Sequence, residues 1–385
     1  ANNGVTLNEH QHILSIGGGS SKIRLHQIIA KNPAGDIIYL NDCNDVYGGH
    51  ILGYGEDTGR NTLTIVKGKR MQFDKITSIG VGTEPMPCGV DLEPNSVTDT
   101  IKDIQFGNVY VESIGTGGFS LSNGKGADCQ GITANSVIVH KKTQIGTEWS
   151  RIGISVTGFK HVKVNGIVTE DQTDKTLLKS FGVWVDNSED VDLNIDVENV
   201  YRAFVIGYTG NVNNIRIKTN LKKVNHHAIA IGNLSNATLD VNISDTNYNG
   251  GETTAILFEY ACNINNLTVN GVIAKGTYGF KAMYLPNPAT STYNNINLNC
   301  DFDGYGDEEL FGGNLTNVPT LKLKRTIWNA PTLQNGWINY GGAMPTIGYT
   351  KDINGIVHLK GMIKSGTATA GTILFNLPAG YRPSA

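Results

Sequence analysis

The chain has 385 residues, a formal net charge of -3 at pH 7 and only 17% charged residues. That balance excludes the basic surface of a nucleic-acid-binding protein, and no apolar run reaches the roughly 18 residues of a membrane-spanning helix. With 47 glycines against 11 prolines, the composition favours a β protein with many turns.

The cysteines are expected to be small, mostly buried residues rather than metal ligands or disulfide partners. None of them forms a CxxC pair, and their odd number argues against a disulfide framework. The chain begins at Ala1 rather than Met, which indicates a fragment or a processed product. The cysteines are Cys43, Cys88, Cys129, Cys262 and Cys300.

Residues 1–34 are predicted to form the N-terminal end of a repeat, as a cap or as its first coil. Residues 20–32 fit either a capping helix or a strand, and residues 35–40 fit a strand. A capping element is required, because a bare end coil exposes apolar side chains and unpaired backbone groups.

Residues 35–320 repeat one pattern: a small residue, alternating apolar residues, a turn, and a second apolar pair. Neighbouring copies start from 21 residues apart (182 to 203) to 35 residues apart (118 to 153). A repeat of this length is typical of solenoid proteins. The copies start at Gly89, Gly118, Gly153, Gly182, Ala203, Ala228, Ala255 and Gly279.

This repeat predicts an all-β fold, a right-handed, single-stranded parallel β-helix. Alternation turns one side of each strand inward, and one coil cannot bury that side alone. Stacked coils would align their apolar residues in a core column, with asparagine ladders at the corners. A β-sandwich is the rival fold, but it rarely repeats one pattern eight times. The predicted column is Val90, Phe119, Ile154, Val183, Phe204, Ile229, Ile256 and Phe280.

Residues 321–385 are predicted to form a separate, small β-sandwich-like domain. The repeat stops near residue 320, and residues 352–355 (Asp-Ile-Asn-Gly) fit a hairpin turn before an apolar strand. The chain ends soon after a turn, so this domain is expected to be cut short or completed by other chains.

Asp91 and Glu93 are the leading catalytic candidates. If Val90 and Leu92 point into the core, both carboxylates point outward from one strand, about 6 to 7 Å apart. Carboxyl groups roughly 6.5 to 9.5 Å apart suit an inverting glycosidase, with one acid and one base. Crowding should raise the pKa of one of them and so divide the roles. The alternative is a solvated strand face, or a pair held by Lys or Arg at a subunit contact.

Other candidates lie close to this pair in the sequence. Glu56 and Asp57, about one coil earlier, are candidate catalytic carboxylates. Glu84 and Arg60 are candidate substrate-binding residues, since an arginine can bind a phosphate or carboxylate with two hydrogen bonds. Ordinary loop polarity explains these four residues slightly better than a role in the site.

Outward positions on later coils are candidate substrate-binding residues. Trp184, in the predicted Asp91 column, offers an exposed flat surface for a sugar ring, although burial between subunits would explain it equally. Asp186 and Glu259 share the Glu93 column but lie too far along it to act with Glu93. The hydroxyl residues of this face are Ser120, Ser122, Ser155 and Thr157.

No metal site and no cofactor are predicted, apart from a divalent metal if the substrate is a phosphodiester. His226 and His227 are neighbours, and on a strand they would point to opposite faces and not share an ion, so a turn or a subunit contact explains the pair better. His10 and His12 would share a face, but they lack a third ligand. Residues 17–19, three glycines, are interpreted as a turn.

Two passages resemble phage tail proteins. KDINGIVHLKGMI followed by GTILFNLPAGYRP (residues 351–363 and 371–383) is similar to a small domain common near the ends of tail fibre and tailspike proteins. PMPCGVDLEPN (residues 85–95) resembles a coil of phage and bacterial β-helix proteins that act on polysaccharides. The family that both suggest is the pre-neck appendage (tailspike) proteins of small Bacillus podophages.

This resemblance implies a homotrimer in the phage virion that acts at the bacterial cell surface. Its partners would be other phage tail proteins and a host polymer, either teichoic acid or a capsular or wall polysaccharide. No nucleic acid and no membrane-spanning segment are expected.

Three functions remain open at this stage. The first is a depolymerase that hydrolyses the polymer, motivated by Asp91 and Glu93. The second is a receptor-binding tail protein without catalysis, which the hydroxyl column and the exposed aromatic residues fit as well. The third is a polysaccharide lyase on the same fold, which needs a Lys, Arg or His base and an acidic sugar.

Overall fold

The computed structural model describes residues 11–31, 35–54, 60–81, 88–113, 117–141, 152–171, 180–246, 254–276, 281–286, 290–303, 305, 310–313, 321–323, 328–342, 344–351 and 357–382. These residues form strands, turns and bends without a helix, so none of them belongs to a helix that could cross a membrane. Twenty-one strands pair in one continuous parallel sheet. The fold is therefore an all-β solenoid of stacked coils, consistent with the predicted right-handed β-helix.

Each coil contributes to two parts of this continuous sheet, which are called the front sheet and the back sheet. Three long strands run through both sheets: β1 (Leu14–Lys31), β2 (Ile38–Tyr54) and β3 (Leu63–Val81). The later front strands are β4 (Val90–Leu92), β6 (Gly117–Ser122), β8 (Ile152–Thr157), β10 (Phe181–Asp186), β12 (Arg202–Ile206), β14 (Ile229–Ile231), β16 (Thr254–Phe258), β18 (Lys281–Leu285) and β20 (Phe311–Gly313). The later back strands are β5 (Thr100–Ser113), β7 (Asp128–Lys141), β9 (Lys160–Glu170), β11 (Glu189–Glu198), β13 (Val212–Lys222), β15 (Leu234–Ser244), β17 (Asn263–Ala274), β19 (Thr292–Asp303) and β21 (Leu321–Leu323).

The front strands stack in the register that the repeat predicts. The core column runs in register from Val90 to Ile256, and each member is at most 1% exposed. The next member is Met283, which pairs with Ile256 and follows the small residue Ala282. The assignment of Phe280 to this column was therefore wrong by three positions, and Phe280 itself lies outside the described residues.

The small residue that opens each repeat is required by the back sheet. A Cβ added at Gly118 would lie 2.5 Å from Cγ1 of Val139, a fully buried back-strand side chain. A Cβ added at Gly153 would lie 2.4 Å from Cγ1 of Val168. The first position of the repeat is small because a larger side chain would collide with the opposite sheet.

A column of residues with left-handed backbone marks the corner where each coil enters the back sheet. On the C-terminal coils, Asn236, Asn266 and Asn295 have φ values of 54°, 59° and 55°. Asn266 Nδ2 donates to Asn236 Oδ1, and Asn295 Nδ2 donates to Asn266 Oδ1, each at 2.9 Å. The predicted asparagine ladder is thus confirmed. On the first coils the same column alternates in charge, with Lys22, Asp45, Arg70 and Asp103.

The N-terminal residues join the solenoid as a strand. Strand β1 pairs in parallel with β2 from Leu14 to Lys31, so the helix alternative for residues 20–32 is wrong. Five of its side chains pack against the core while remaining partly exposed: Leu14, Ile16, Ile23, Leu25 and Ile28.

Residues 1–323 and residues 324–385 form two compact units. The second unit contains two antiparallel strand pairs, β22 (Ile338–Asn339) with β25 (Ile363–Lys364) and β23 (Gly348–Lys351) with β24 (Val357–Lys360). The predicted hairpin turn at 352–355 lies outside the described residues. Among the described residues of this unit, no hydrophobic side chain is buried.

Removing one member of the asparagine ladder should destabilise the solenoid. Asn266→Ala loses a hydrogen bond to each neighbouring coil and places alanine in left-handed backbone. The free energy of unfolding should therefore fall by about 1 to 2 kcal/mol in urea denaturation.

The matched control is Asn265→Ala. Asn265 is exposed and makes no side-chain hydrogen bond within the described part of the chain, so its loss should change stability by less than about 0.5 kcal/mol. Equal losses in the two variants would show that the ladder bonds contribute nothing.

Candidate functional site

A buried polar cluster occupies the outward side of the first front strands. Asp91 on β4 faces away from the core column but is only 6% exposed. Its neighbours across the sheet are Thr64 on β3 and the half-buried Ser120 on β6. Ser120 forms a side-chain hydrogen bond with the Asp91 carboxylate. The outward column is as predicted. The alternative of a solvated strand face does not hold for Asp91, because polar side chains of adjacent coils surround it.

Asn61 holds the centre of this cluster. Its Oδ1 accepts a hydrogen bond from the Cys88 backbone N–H at 2.6 Å, and its Nδ2 donates to Thr64 Oγ1 at 2.9 Å. A longer contact of 3.5 Å joins Nδ2 to Asp91 Oδ2. Asn61 is 1% exposed, and a buried amide with all its bonds made fixes the groups around it.

A second buried carboxylate, Asp36, lies one coil before Asn61. Its Oδ1 accepts a hydrogen bond from the Asn61 backbone N–H at 3.1 Å, and its Oδ2 lies 3.4 Å from His12 Nδ1. Burial raises the pKa of Asp36, although the Asn61 hydrogen bond and the positive charge of Arg60 act against that rise. The His12 ring stacks on Tyr39 with 4.2 Å between centroids.

Sequence reasoning missed Asp36 and Asn61. Asp36, Asn61 and Cys88 each stand two residues before the first residue of a strand, which is Ile38 in β2, Leu63 in β3 and Val90 in β4. On later coils the same position is held in register by Phe181 and Arg202. Reading the position two residues before each core-column residue as a column of its own, and extending it back to Ile38 and Leu63, would have brought these polar side chains together.

Burial raises the pKa of Asp91 from 3.8 to about 7. Desolvation is the largest cause, and the negative charge of Glu93 is the next; the Ser120 hydrogen bond and the charge of Arg60 act in the opposite direction. The predicted crowding by Glu93 is therefore present but secondary to burial. A carboxyl group with a pKa near 7 is partly protonated at neutral pH, which suits a general acid.

The other residues of the predicted site are only partly described. Glu93 is half-buried, directly after β4, and its backbone N–H donates to Ile65 O at 3.0 Å. Arg60 is half-buried and close enough to lower the pKa of both Asp36 and Asp91. The remaining positions are Ser122, which is half-buried at the end of β6, and Glu56, Asp57 and Glu84, which lie outside the described residues.

A patch of aromatic and aliphatic side chains lies on the same outward face three coils beyond Asp91, about 14 Å along the solenoid. It is called the aromatic patch below. Trp184 lies in the Asp91 column, as predicted, but it is half-buried rather than fully exposed. Its ring contacts Phe181 and Tyr208 with 5.5 Å between centroids in each pair, and Tyr208 is 51% exposed. The other members of this aromatic patch are Ile152, Val205, Ala230 and Leu257.

Asp186 and Glu259 have partners of their own. Asp186 is 2% exposed and accepts hydrogen bonds from the backbone N–H groups of Thr209 at 3.1 Å and Gly210 at 2.7 Å. Glu259 Oε1 lies 3.4 Å from Arg202 Nη1. Asp186 therefore holds a turn, and Glu259 is part of an ion pair.

His226 and His227 lie in a bend between β13 and β14 and not on a strand, which agrees with the expected turn. Their ring centroids are 3.9 Å apart, and His227 Nδ1 accepts a hydrogen bond from the Thr254 N–H at 3.2 Å. Burial lowers the pKa of His226 to about 4 and that of His227 to about 2. In the described part of the chain, no three His, Cys, Asp or Glu side chains are arranged to hold a metal ion. All five cysteines are free thiols, and only Cys88 is not fully buried.

No protein-family model, no curated protein and no solved structure matches this chain. The site is therefore interpreted from its own chemistry. It combines two desolvated carboxyl groups, a cation, an amide and hydroxyl groups on a face that continues to an aromatic patch.

The raised pKa of Asp91 should make the solenoid less stable as the pH rises from about 4 to about 7. Below that range the group is protonated in both the folded and unfolded chains. Within it, the unfolded chain loses the proton that the folded chain still holds, which favours unfolding.

Asp91→Asn removes this ionisation. Between pH 4 and pH 8 the variant should gain stability relative to the original chain, on the order of 4 kcal/mol. Urea denaturation across the pH range measures this gain, with Asp192→Asn at an exposed strand position as the control. A difference that stays constant with pH would contradict the raised pKa.

Proposed function

We propose that this chain is a phage tailspike that binds a host cell-surface polymer along its front sheet and hydrolyses it at the Asp91 cluster. The observation that carries the proposal is the buried cluster of Asp36, Asn61 and Asp91 on a face that leads to an aromatic patch, where burial raises the pKa of Asp91 to about 7. The β-solenoid fold is typical of tail proteins that bind or degrade polysaccharides. The two passages that resemble tail proteins support the same reading, with teichoic acid or a capsular or wall polysaccharide as the polymer.

The front face offers a path along which a polymer would bind. Asp91, Ser120, Ser155 and Trp184 are successive members of one outward column, and successive coils lie about 4.8 Å apart. Hydroxyl groups therefore stand between the reactive carboxyl group and a ring on which a sugar can stack. Tyr208 widens that ring surface.

Asp91 is proposed as the general acid and Glu93 as the general base of an inverting hydrolysis. Protonated Asp91 donates its proton to the leaving glycosidic oxygen as the bond to the anomeric carbon breaks. Glu93 takes a proton from the water that attacks that carbon from the opposite side. Arg60 would bind an anionic group of the polymer near Asp91.

Removal of either carboxyl group should abolish cleavage while leaving the fold intact. Asp91→Asn and Glu93→Gln should each slow the shortening of purified host wall polymer by at least about 100-fold. Size-exclusion chromatography of the products measures this rate, and Asp192→Asn should cleave normally. Unchanged cleavage in both site variants would end this assignment of the site.

A receptor-binding tail protein without catalysis is the second candidate. The aromatic patch favours it, because its rings can bind a sugar without the help of a reactive carboxyl group. A chain that binds the polymer without shortening it would identify this function. A lyase is the third candidate, and its unsaturated product would absorb in the near ultraviolet.

The C-terminal unit supports a further proposal, that the chain forms a homotrimer in the virion, where other tail proteins would be its partners. Its described part buries no hydrophobic side chain. Several apolar side chains are half exposed or more: Leu359 at 56%, Ile338 at 50% and Ile373 at 50%. A small unit whose described residues form no apolar core is stabilised by burying such residues against other copies.

Sedimentation of the full chain should therefore give the mass of three chains. Leu359→Ser combined with Ile373→Ser should shift it towards one chain, since both remove apolar surface from the contact. Val97→Ser is the matched control, because Val97 is 65% exposed on the solenoid. A single-chain mass for the unmodified protein would exclude the trimer.

A further inference from the structure

A groove on the back sheet is separate from the Asp91 cluster. It follows the corner of the first coils across β1, β2, β3 and β5 and has a volume of about 540 Å³. Ile23, Val46 and Met71 line its floor between two columns of polar residues. A volume of this size is typical of small-ligand sites.

The first wall is the charged corner column described above. Arg70 donates two hydrogen bonds to the Asp45 carboxylate, from Nε to Oδ1 at 2.6 Å and from Nη2 to Oδ2 at 2.9 Å. This interaction lowers the pKa of Asp45 and keeps it ionised. Both side chains are therefore held in place before any ligand binds.

The second wall lies two residues further along each strand. Its members in register are Arg24, Tyr47, Gln72 and Gln105. Tyr47 donates its hydroxyl hydrogen to Asp74 Oδ2 at 2.5 Å, and Gln72 Nε2 donates to Asp74 Oδ1 at 2.9 Å. A wall ordered by its own hydrogen bonds lowers the entropy cost of binding a ligand.

Charge is distributed unevenly along this groove. Lys22 and Arg24 on β1 are exposed, and neither makes an ion pair with the described residues. Asp45 is neutralised by Arg70, while Asp103 at the opposite end is exposed. An anionic group would therefore bind at the Lys22 and Arg24 end, with hydroxyl groups of the same ligand along Tyr47 and the glutamines.

We propose that this groove is a second saccharide-binding site, which binds a short acidic unit of the polymer. The acidic group is a carboxylate or a phosphate, since both accept paired hydrogen bonds from an arginine. The identity of the ligand as a piece of the polymer rests on the proposed function, but the groove itself does not. Two sites on one chain retain a polymer longer than either site alone, because the second contact forms within the complex.

The test uses the full chain with three probes: trigalacturonate, which carries carboxylates, a glycerol phosphate trimer, which carries phosphates, and maltotriose, which is neutral. Isothermal titration calorimetry at low salt should give at least one acidic probe an affinity more than tenfold above that of maltotriose. The probe that binds distinguishes a uronic acid polymer from a teichoic acid.

Two groove variants and one control locate the binding. Arg24→Gln and Gln72→Ala should each weaken the acidic probe several-fold, and together at least tenfold. Arg216→Gln should leave binding unchanged, because Arg216 occupies the same outward column on β13, far from the groove. Both groove variants keep Asp91 and Glu93, so polymer cleavage by these variants is measured separately, and a failure of cleavage and a failure of the groove are told apart.

Binding that persists in the double variant, or equal binding of maltotriose, would overturn the proposal. Sedimentation of the same variants tests the other occupant of such a groove, a second copy of the chain. Loss of self-association in the groove variants without loss of probe binding would assign the surface to a subunit contact and reject the saccharide site.

Discussion

Parallel stacking in register is the constraint on which the rest of this molecule depends. The backbone groups of each coil bond to the next, so equivalent side chains are brought about 4.8 Å apart, coil after coil. A column accepts only residues that tolerate an identical or complementary neighbour. Apolar residues meet this condition inside the solenoid, and asparagines such as Asn266 meet it at the corner. On the first coils, opposite charges such as Asp45 and Arg70 meet it instead.

The same constraint creates chemistry outside the core. Asp36, Asn61 and Asp91 come from three successive coils, and stacking packs them into one desolvated group on the outward face. A carboxylate surrounded by protein loses hydration, so its proton is held more tightly. A carboxyl group with a raised pKa thus arises from side chains 25 to 30 residues apart in the chain.

The repeat predicted the fold because periodicity is a local property that the sequence displays directly. Val90, the Asn266 ladder and the outward placement of Asp91 followed from it. Burial did not follow, because it depends on which side chains of adjacent coils lean over a position; hence Asp91 and Trp184 were expected to be more exposed than they are. Phe280 was misplaced because two neighbouring segments match the repeat pattern. Gly279 was taken as the small residue that opens the repeat, but Ala282 occupies that position. Asp36 was missed because its partners belong to other coils.

The most direct test is a crystal structure of the full chain soaked with an oligosaccharide cut from the host wall polymer. Our account predicts parallel coils throughout the first unit and a sugar chain on the front sheet, with a glycosidic oxygen in hydrogen-bonding distance of Asp91 and a ring against Trp184. Antiparallel sheets within the first 300 residues, or an Asp91 that no sugar approaches while the polymer is bound elsewhere, would contradict it.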